Sequence, residues 1–303
     1  MAKKNRNDTL DWLAYLPIRA LVSLTGIMPY RLRLATSGAI GQGIVLSSSR
    51  FRERVRLNLG HVFPDMTEDR KRQIMRETGD TFGRTFMEIL HMKKFRAHNA
   101  IVPPSGSAAE ALLEAAGSGK GAVIVSGHFG NWEGCRLWLM QNGFECAGVY
   151  RPTPNPYIDR IYGSGLEDNG KPMFKKGPRG MRGLVSHLAK GNIVALLVDQ
   201  YDDRAEPLDF VGQPAPTSLF APQLALKYGV PLIPMFSHRL DDGERVQVEV
   251  DPPIPHTDAK QMMQAVNDAL AARIRARPGQ YYWLHRRWSK TLGAPKTQEP
   301  EAA

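Results

Sequence analysis

The segment richest in potential chemistry is Val125-Ser126-Gly127-His128-Phe129-Gly130-Asn131-Trp132-Glu133. A short apolar run, Ala122 to Ser126, reads as a buried strand. A glycine-flanked histidine follows, and a helix begins over Trp132 to Asn142 with Asn131 at its cap. Loops at the carboxyl ends of strands in open α/β sheets are where ligands bind. Gly127 and Gly130 let the backbone turn sharply and let a substrate come close. Glu133 stands five residues beyond His128. On one continuous helix that spacing separates the two onto different faces, but across a turn into a helix the carboxylate can fold back onto the imidazole. A histidine held in this way is a general base of fixed tautomer whose cationic form is stabilised. The backbone N–H groups at the start of the new helix are then expected to face a developing oxyanion.

Other chemistries have weaker support. No Gly-x-Ser-x-Gly elbow occurs, which disfavours an α/β-hydrolase. Cys135 falls inside the apolar helix, where a thiol is expected to be inert. Without a nucleophile of its own, His128 is expected to deprotonate a substrate hydroxyl or a water. Gly117 to Gly121 looks superficially like a phosphate loop but lacks its leading glycine and its hydroxyl residue, and reads as a helix stop and a turn. No Cys/His set has zinc spacing, and Asp199, Asp202 and Asp203 are weak grounds for magnesium, so no metal is expected. Asp199 and Gln200 follow a second strand, Ile193 to Val198, and so occupy a site position. Arg151, Lys175, Lys176, Arg179 and Arg182 form a group suited to phosphates.

The elements that must position these residues alternate. Strands at Ala122–Ser126, Ala147–Tyr150, Ile193–Val198 and Pro231–Phe236 are separated by helices at Met181–Lys190 and Leu219–Tyr228. An amphipathic helix runs from Gln261 to Arg277, and a longer one from Thr67, a plausible N-cap, to Met92. Arg245–Val250 alternates cleanly and is expected to be an antiparallel edge strand. The expected fold is α/β: a central mixed, mostly parallel sheet flanked by helices, with an N-terminal membrane-associated helical segment over 1–48. The α/β domain spans 49–292, and a polar tail over 293–303 is expected to be disordered.

The charge needs a cause: 40 Lys+Arg against 30 Asp+Glu, a net +10 over 303 residues. The N-terminal stretch is strongly basic, and the apolar run from Leu10 to Leu46 is broken by Pro17, Arg19, Pro29, Arg31 and Arg33. That pattern fits a helix lying in the membrane interface, with Trp12, Leu13, Leu16 and Leu21 dipping and Arg19 snorkelling, better than a clean span. Two cysteines, Cys135 and Cys146, fit a reducing compartment. No nucleic-acid reading motif occurs.

His128-Phe129-Gly130-Asn131-Trp132-Glu133 resembles the His-x4-Asp/Glu block of glycerolipid acyltransferases, in the form seen in the bacterial lipid A late acyltransferases, the lauroyl/myristoyl family. Other segments agree in order. Arg56-Leu57-Asn58-Leu59 with Phe63-Pro64 is similar to the family's N-terminal signature. Tyr150-Arg151-Pro152 with Asn155-Pro156 and Ile158-Asp159 resembles its second block, and Val198-Asp199-Gln200 its third. Phe210-Val211-Gly212 with Pro214 to Thr217 follows, then Gly229 to Pro234 and the closing Trp283-Leu284-His285-Arg286-Arg287-Trp288. The resemblance covers roughly Arg50 to Trp288. Two departures stand out. Asp199-Gln200-Tyr201 replaces the Glu-Gly-Thr-Arg block of acyltransferases that use glycerol phosphate, and Phe174-Lys175-Lys176 with Arg179 only loosely represents the Phe-Ile-x-Arg block.

The resemblance implies transfer of a fatty acyl group from acyl carrier protein to the hydroxyl of a hydroxyacyl chain on a phosphorylated lipid A precursor, at the cytoplasmic face of the inner membrane. His128 and Glu133 are then expected to be catalytic, with direct attack on the thioester and no acyl-enzyme. Asn131, Trp132, Arg151, Lys175, Lys176, Arg179, Asp199 and Gln200 are expected to bind substrate. The acyl thioester is a co-substrate, and no cofactor is expected. His285, Arg286 and Arg287 are expected to pack or face the membrane, and Trp283 and Trp288 to suit an interface. Two rivals remain open: acylation of another lysolipid or glycolipid, perhaps from acyl-CoA, and a non-catalytic membrane-adsorbed lipid-binding protein.

Overall fold

A computed structural model describes residues 8–289 and 292. The apolar N-terminal stretch is two helices, α1 (Asp8–Ile27) and α2 (Tyr30–Ser47), broken before Pro29. Three more helices follow: α3 (Ser49–Val62), α4 (Glu68–Leu90) and α5 (Met92–His98). Thr67 caps α4 as expected, its side chain accepting from Arg70 N at 3.3 Å. The α/β portion then runs β1 (Ile101–Val102), α6 (Ser107–Gly117), β2 (Ala122–Ser126), α7 (Glu133–Gln141), β3 (Cys146–Tyr150) and α8 (Pro156–Asp168). It continues with β4 (Met173–Lys175), α9 (Pro178–Ala189), β5 (Ile193–Leu197), β6 (Pro207–Phe210), β7 (Gln213–Pro216) and α10 (Phe220–Tyr228). It closes with β8 (Leu232–Arg239), β9 (Val246–Val250) and α11 (Ala259–Ala276).

Seven strands form one sheet in the order β1-β9-β8-β2-β5-β3-β4, and β6 and β7 form a separate hairpin. Every pairing in the large sheet is parallel except β8 with β9. The central strands β2 and β8 are buried at every residue, which is why their sequences are unbroken apolar runs rather than alternating ones. One face of the sheet packs against α5, α6 and α7, and the other against α9, α10 and α11. A third core joins α2, α3 and α4 to α11 and the C-terminal aromatics. The fold class is therefore the expected mostly parallel α/β sheet.

Three expectations need correction. β9 is antiparallel to β8, but it is not an edge, because the two-residue β1 pairs along its outer side. Trp283 and Trp288 do not face an interface. Both are fully buried, stacked on one another at 6.0 Å in the core that ties α3 and α4 to the C-terminal segment. The long helix from Thr67 stops at Leu90, and α5 starts separately after His91. The helix α8, the strand β4 and the β6–β7 hairpin carried too weak a pattern to be read. The expected tail over 293–303 lies outside the described residues.

α4 reaches the site, and it is positioned by an unusually close approach to α2. Gly41 on α2 meets Gly79 and Gly83 on α4, and Gly38 lies against the Asp80 and Arg84 side chains. A Cβ on Gly41 would lie 2.1 Å from Gly79 O, and one on Gly83 2.1 Å from Ser37 O. The two backbones touch, so no side chain fits between them. Gly41→Ala is expected to cost about 1–3 kcal/mol through overpacking. Gly43→Ala, which meets nothing within 4 Å, should leave the unfolding midpoint level or raise it slightly. Chemical denaturation of the two variants checks the contrast.

Candidate active site

β2 and β5 pair in parallel with Ser126 opposite Leu197, and Val198 N donates to Ser126 O at 2.9 Å. His128 and Asp199 each stand two residues beyond those paired ends. The register therefore brings them together. His128 Nδ1 lies 2.8 Å from Asp199 Oδ1, and the His128 backbone N–H donates to Asp199 Oδ2 at 2.9 Å. With both oxygens engaged by one residue, the imidazole ring is fixed and Nε2 is left as the atom that can exchange a proton. Asp199 is buried. Burial alone would raise its carboxyl, but the charge and hydrogen bonds of His128 overcome this and hold it well below the ordinary carboxylate range.

The partner of His128 is thus Asp199 and not Glu133. Glu133 is the first residue of α7, and its side chain runs the other way into the protein. Its Oε2 accepts from Arg136 Nη1 at 2.6 Å and from Asn169 Nδ2 at 2.8 Å. Arg136 continues to Gly170 O at 2.8 Å, so the buried pair ties α7 to the end of α8. The expected oxyanion role of the α7 start also needs correction. The N–H groups of Glu133 and Gly134 are taken by Asn131 Oδ1 and Asn131 O at 3.2 and 2.9 Å.

Asn131 is a brace rather than a substrate contact. It is buried, and its Nδ2 donates to Glu88 Oε2 on α4 at 2.8 Å. Glu88 also holds Tyr30 of α2 at 2.7 Å and forms an ion pair with buried Arg239 of β8. The loop between His128 and Asn131 is clamped on its backbone as well. Tyr282 N donates to His128 O at 3.0 Å, Gly130 N to Gln280 O at 2.8 Å, and Thr85 Oγ1 to Gly130 O at 3.1 Å. Gly130 has φ +54°, and a Cβ there would meet Ser237 O at 2.2 Å, so only glycine fits.

Sequence reasoning placed His285 outside the site, but its ring lies edge-on to His128 with centroids 4.5 Å apart. Burial pushes His285 down to about 3, and its Nε2 is buried with no hydrogen-bond partner. It is a neutral wall beside the His128 ring. Tyr281 and Tyr282 come with it on the same C-terminal segment, Tyr281 bridging to Phe129. The signal was present in the closing aromatic and basic cluster, but nothing local indicates that this segment folds back onto the β2 loop. The ligand-capable atoms of His128, Asp199 and His285 lie within 4.8 Å of one another. Within the trio, His128 Nδ1 and Asp199 Oδ1 are hydrogen-bonded to each other at 2.8 Å.

Trp132 packs its ring 5.1 Å from His128 and lines a mainly apolar cavity of about 40 Å³, which Glu133 and Arg136 also line. The cavity lies between β2, β3, β5 and α7, with Ala195, Leu197, Gly148 and Met173 in its wall. Ser126, two residues before His128, also faces it. Lys175, Lys176, Arg179 and Arg182 gather along a groove of about 760 Å³ between β4 and α9. Lys175 is partly neutralised by Asp159 at 2.7 Å. This groove is three strands from β2, roughly 14 Å at the usual strand spacing. The structure thus brings these four cations together but sets them apart from His128. Arg151 is exposed at the end of β3, outside the groove lining, and Gln200 is half-buried beside Asp199.

Removing the charge of Glu133 leaves Arg136 buried without a counter-ion. Glu133→Ala is expected to lower folding stability by about 3–5 kcal/mol. Glu133→Gln, which keeps the acceptor for Asn169, should lose less. Denaturation midpoints measure both losses. The pH–rate profile of whatever folded Glu133→Gln enzyme remains should match the parent, because this carboxylate does not touch His128.

Comparison with known proteins agrees with this geometry. The profile of the family described as bacterial lipid A biosynthesis acyltransferase matches residues 2–290. The chain is 29% identical over 294 residues to a lipid A biosynthesis lauroyltransferase of Escherichia coli strain K12, covering 94% of each chain. A lipid A biosynthesis acyltransferase of Haemophilus influenzae is 24% identical over 282 residues, covering 90% of this chain and 86% of the relative. A phosphatidylinositol mannoside acyltransferase of Mycobacterium tuberculosis strain H37Rv is 26% identical, over 79% of this chain and 78% of its own. The chain belongs to the bacterial lipid A biosynthesis acyltransferase family.

Proposed function

We propose that the protein is a thioester-dependent O-acyltransferase acting at the cytoplasmic face of the inner membrane. It moves a fatty acyl chain from acyl carrier protein to the hydroxyl of a hydroxyacyl chain on a phosphorylated lipid A precursor. The observation that carries the reading is the His128–Asp199 pair, set at the mouth of two parallel strands beside a mainly apolar cavity.

An aliphatic hydroxyl is a poor nucleophile until a base removes its proton in the transition state. His128 Nε2 takes that proton as the hydroxyl oxygen attacks the thioester carbonyl carbon. Asp199 stabilises the imidazolium through Nδ1. The tetrahedral intermediate collapses with cleavage of the C–S bond. The imidazolium returns its proton to the departing sulfur, leaving an ester and a free carrier thiol. No acyl-enzyme is needed. Cys135, the nearest thiol in sequence, is pushed by burial up to about 12 and is hydrogen-bonded to Ser237. The cavity beside Trp132, about 40 Å³ as it stands, admits only a short end of the acyl chain. The acidic carrier protein and the lipid phosphates account for the protein's excess cations, with Lys176, Arg179 and Arg182 as candidate contacts.

His128→Ala is expected to lower acyl transfer on the order of 10²–10⁴-fold. Asp199→Asn should fall into the same range with little change in KM, since it acts through the histidine. A His128→Ala enzyme with near-normal transfer defeats the assignment. In the cavity wall, Ala195→Leu adds bulk where the donor chain would lie. It should discriminate against the longest donors by roughly 10–200-fold relative to shorter ones, the range that one or two methylenes decide. The whole reading is tested by mass spectrometry of lipid A from cells with and without the gene. A missing acyl chain supports it, and an unchanged pattern overturns it. A changed glycolipid instead would favour the second reading, to which the phosphatidylinositol mannoside acyltransferase relatives lend weight.

A further inference from the structure

Among the described residues, seven of the eight large apolar side chains that stand exposed lie on α1 and α2: Leu10, Trp12, Leu13, Leu24 and Ile27 on the first, Leu32 and Ile44 on the second. Ile27 is 83% exposed. The outward stripe of α2 continues through Ala35, Ala39, Gly43 and Ser47, so between Arg31 and Arg50 no charged side chain faces out. The outward face of α1 carries one cation, Arg19, midway along it. Cations stand at the margins: Arg31 at the α1–α2 turn, and Arg50 and Arg52 where α3 begins.

By length and composition alone α1 is long and apolar enough to cross a bilayer. Its attachments forbid that. Near its first turn Asp11 O accepts from Asn155 Nδ2 at 2.7 Å, and Tyr15 stacks on Tyr157 at 5.6 Å. Near its last turn Thr25 Oγ1 bonds His91 Nε2 at 3.1 Å. Buried Arg33 caps the helix end, donating to Thr25 O and Met28 O, each at 2.8 Å. The helix is thus fixed to the α/β body at both ends, about 21 Å apart. The α8 segment packed beside it exposes Arg160 and Glu167. Sinking α1 through the hydrocarbon would drag these charges in, at about 2.5–3.5 kcal/mol each even on the most lenient scale. The inward stripe is Asp11, Tyr15, Ile18, Val22 and Thr25, and Leu16 and Leu21 are half-buried along it. The sequence expectation that Leu16 and Leu21 dip into lipid is therefore corrected to Leu10, Leu13 and Leu24.

We propose that the α1–α2 hairpin is a monotopic docking face: both helices lie along an anionic bilayer, their outward stripes in the acyl boundary, and the chain does not cross. The inference deepens the membrane reading given above and rests on it for lipid rather than protein as the occupant. Charge complementarity points the same way. The face is apolar. At its rim Arg31 is paired with Glu244 at 2.6 Å, but Arg50 and Arg52 stand exposed, so two copies placed face to face would oppose these arginines, whereas anionic headgroups pair with them at about 1 kcal/mol per residue near the surface. Arg19 reaches the headgroups by snorkelling.

The test uses the full-length protein in phosphatidylethanolamine/phosphatidylglycerol vesicles. Cys135 and Cys146 are buried and give little background. A membrane-impermeant maleimide should label Thr9→Cys and Ser164→Cys from the same side. A nitroxide on Ala39→Cys should collide with lipid-dissolved oxygen in preference to an aqueous nickel chelate. Replacing phosphatidylglycerol with phosphatidylcholine should weaken vesicle binding. Labelling of Thr9→Cys from the side opposite Ser164→Cys overturns the proposal in favour of a span. A nitroxide that reports no lipid but broadens against a second nitroxide overturns it in favour of a dimer face. None of these readouts depends on acyl transfer. An unchanged lipid A pattern with same-side labelling would therefore sink the substrate assignment and leave the membrane placement standing.

Discussion

The pairing of Ser126 with Leu197 is the constraint on which the site depends. Parallel strands in register end level, so the residues two beyond each end are neighbours. Here those residues are an imidazole and a carboxylate. A shift of register by a single residue would part them and turn each strand's side chains to the opposite face. The His128–Asp199 pair is therefore specified by the same hydrogen-bond ladder and apolar runs that build the core. Burying Asp199 is costly in itself, and the cost is offset only because His128 supplies both a ring nitrogen and a backbone N–H to its two oxygens.

The rest of the molecule holds the His128 end of that pair still. Asp199 lies two residues beyond a central strand, but His128 sits in a glycine turn that would otherwise flex. It is restrained from three directions: by the C-terminal segment through Tyr282 and Gln280, by α4 through Thr85 and Glu88, and by β8 through Arg239 and Ser237. α4 is in turn seated by glycine-to-glycine contact with α2. A helix that reads in sequence as membrane-associated is thus also part of the scaffold behind the active site. This explains why Tyr30, at the start of α2, spends its hydroxyl on Glu88.

The sheet was legible because its central strands are uniformly buried and so appear as unbroken apolar runs, and β2 was located to the residue. His128 was legible as a candidate because its glycines and strand-end position are local. Its partner was not. Glu133 and Asp199 are both acids at plausible positions, and sequence spacing favours the nearer one, while only the β2–β5 pairing reveals that the farther one is adjacent. His285 was missed for the same reason: it arrives by a long-range return of the chain. The ambiguity over α1 was physical too. Length and hydropathy describe a helix in isolation, whereas the contacts of Asp11, Tyr15 and Thr25 tie it to α8 and α4.

The net +10 has a spatial division once the fold is known. One share borders the mainly apolar α1–α2 face, and another lines the β4–α9 groove at the far edge of the sheet. Cations around an apolar face favour a flat anionic surface, because lipid headgroups can surround the apolar contact on every side. Cations along a concave groove favour a discrete acidic body. The groove is three strands from β2, roughly 14 Å at the usual strand spacing, so on the proposed reading its cations would meet a part of a substrate remote from the reacting hydroxyl. On the proposed reading, then, the first basic region borders a membrane surface and the second a charged part of a substrate, and the fold keeps the two apart.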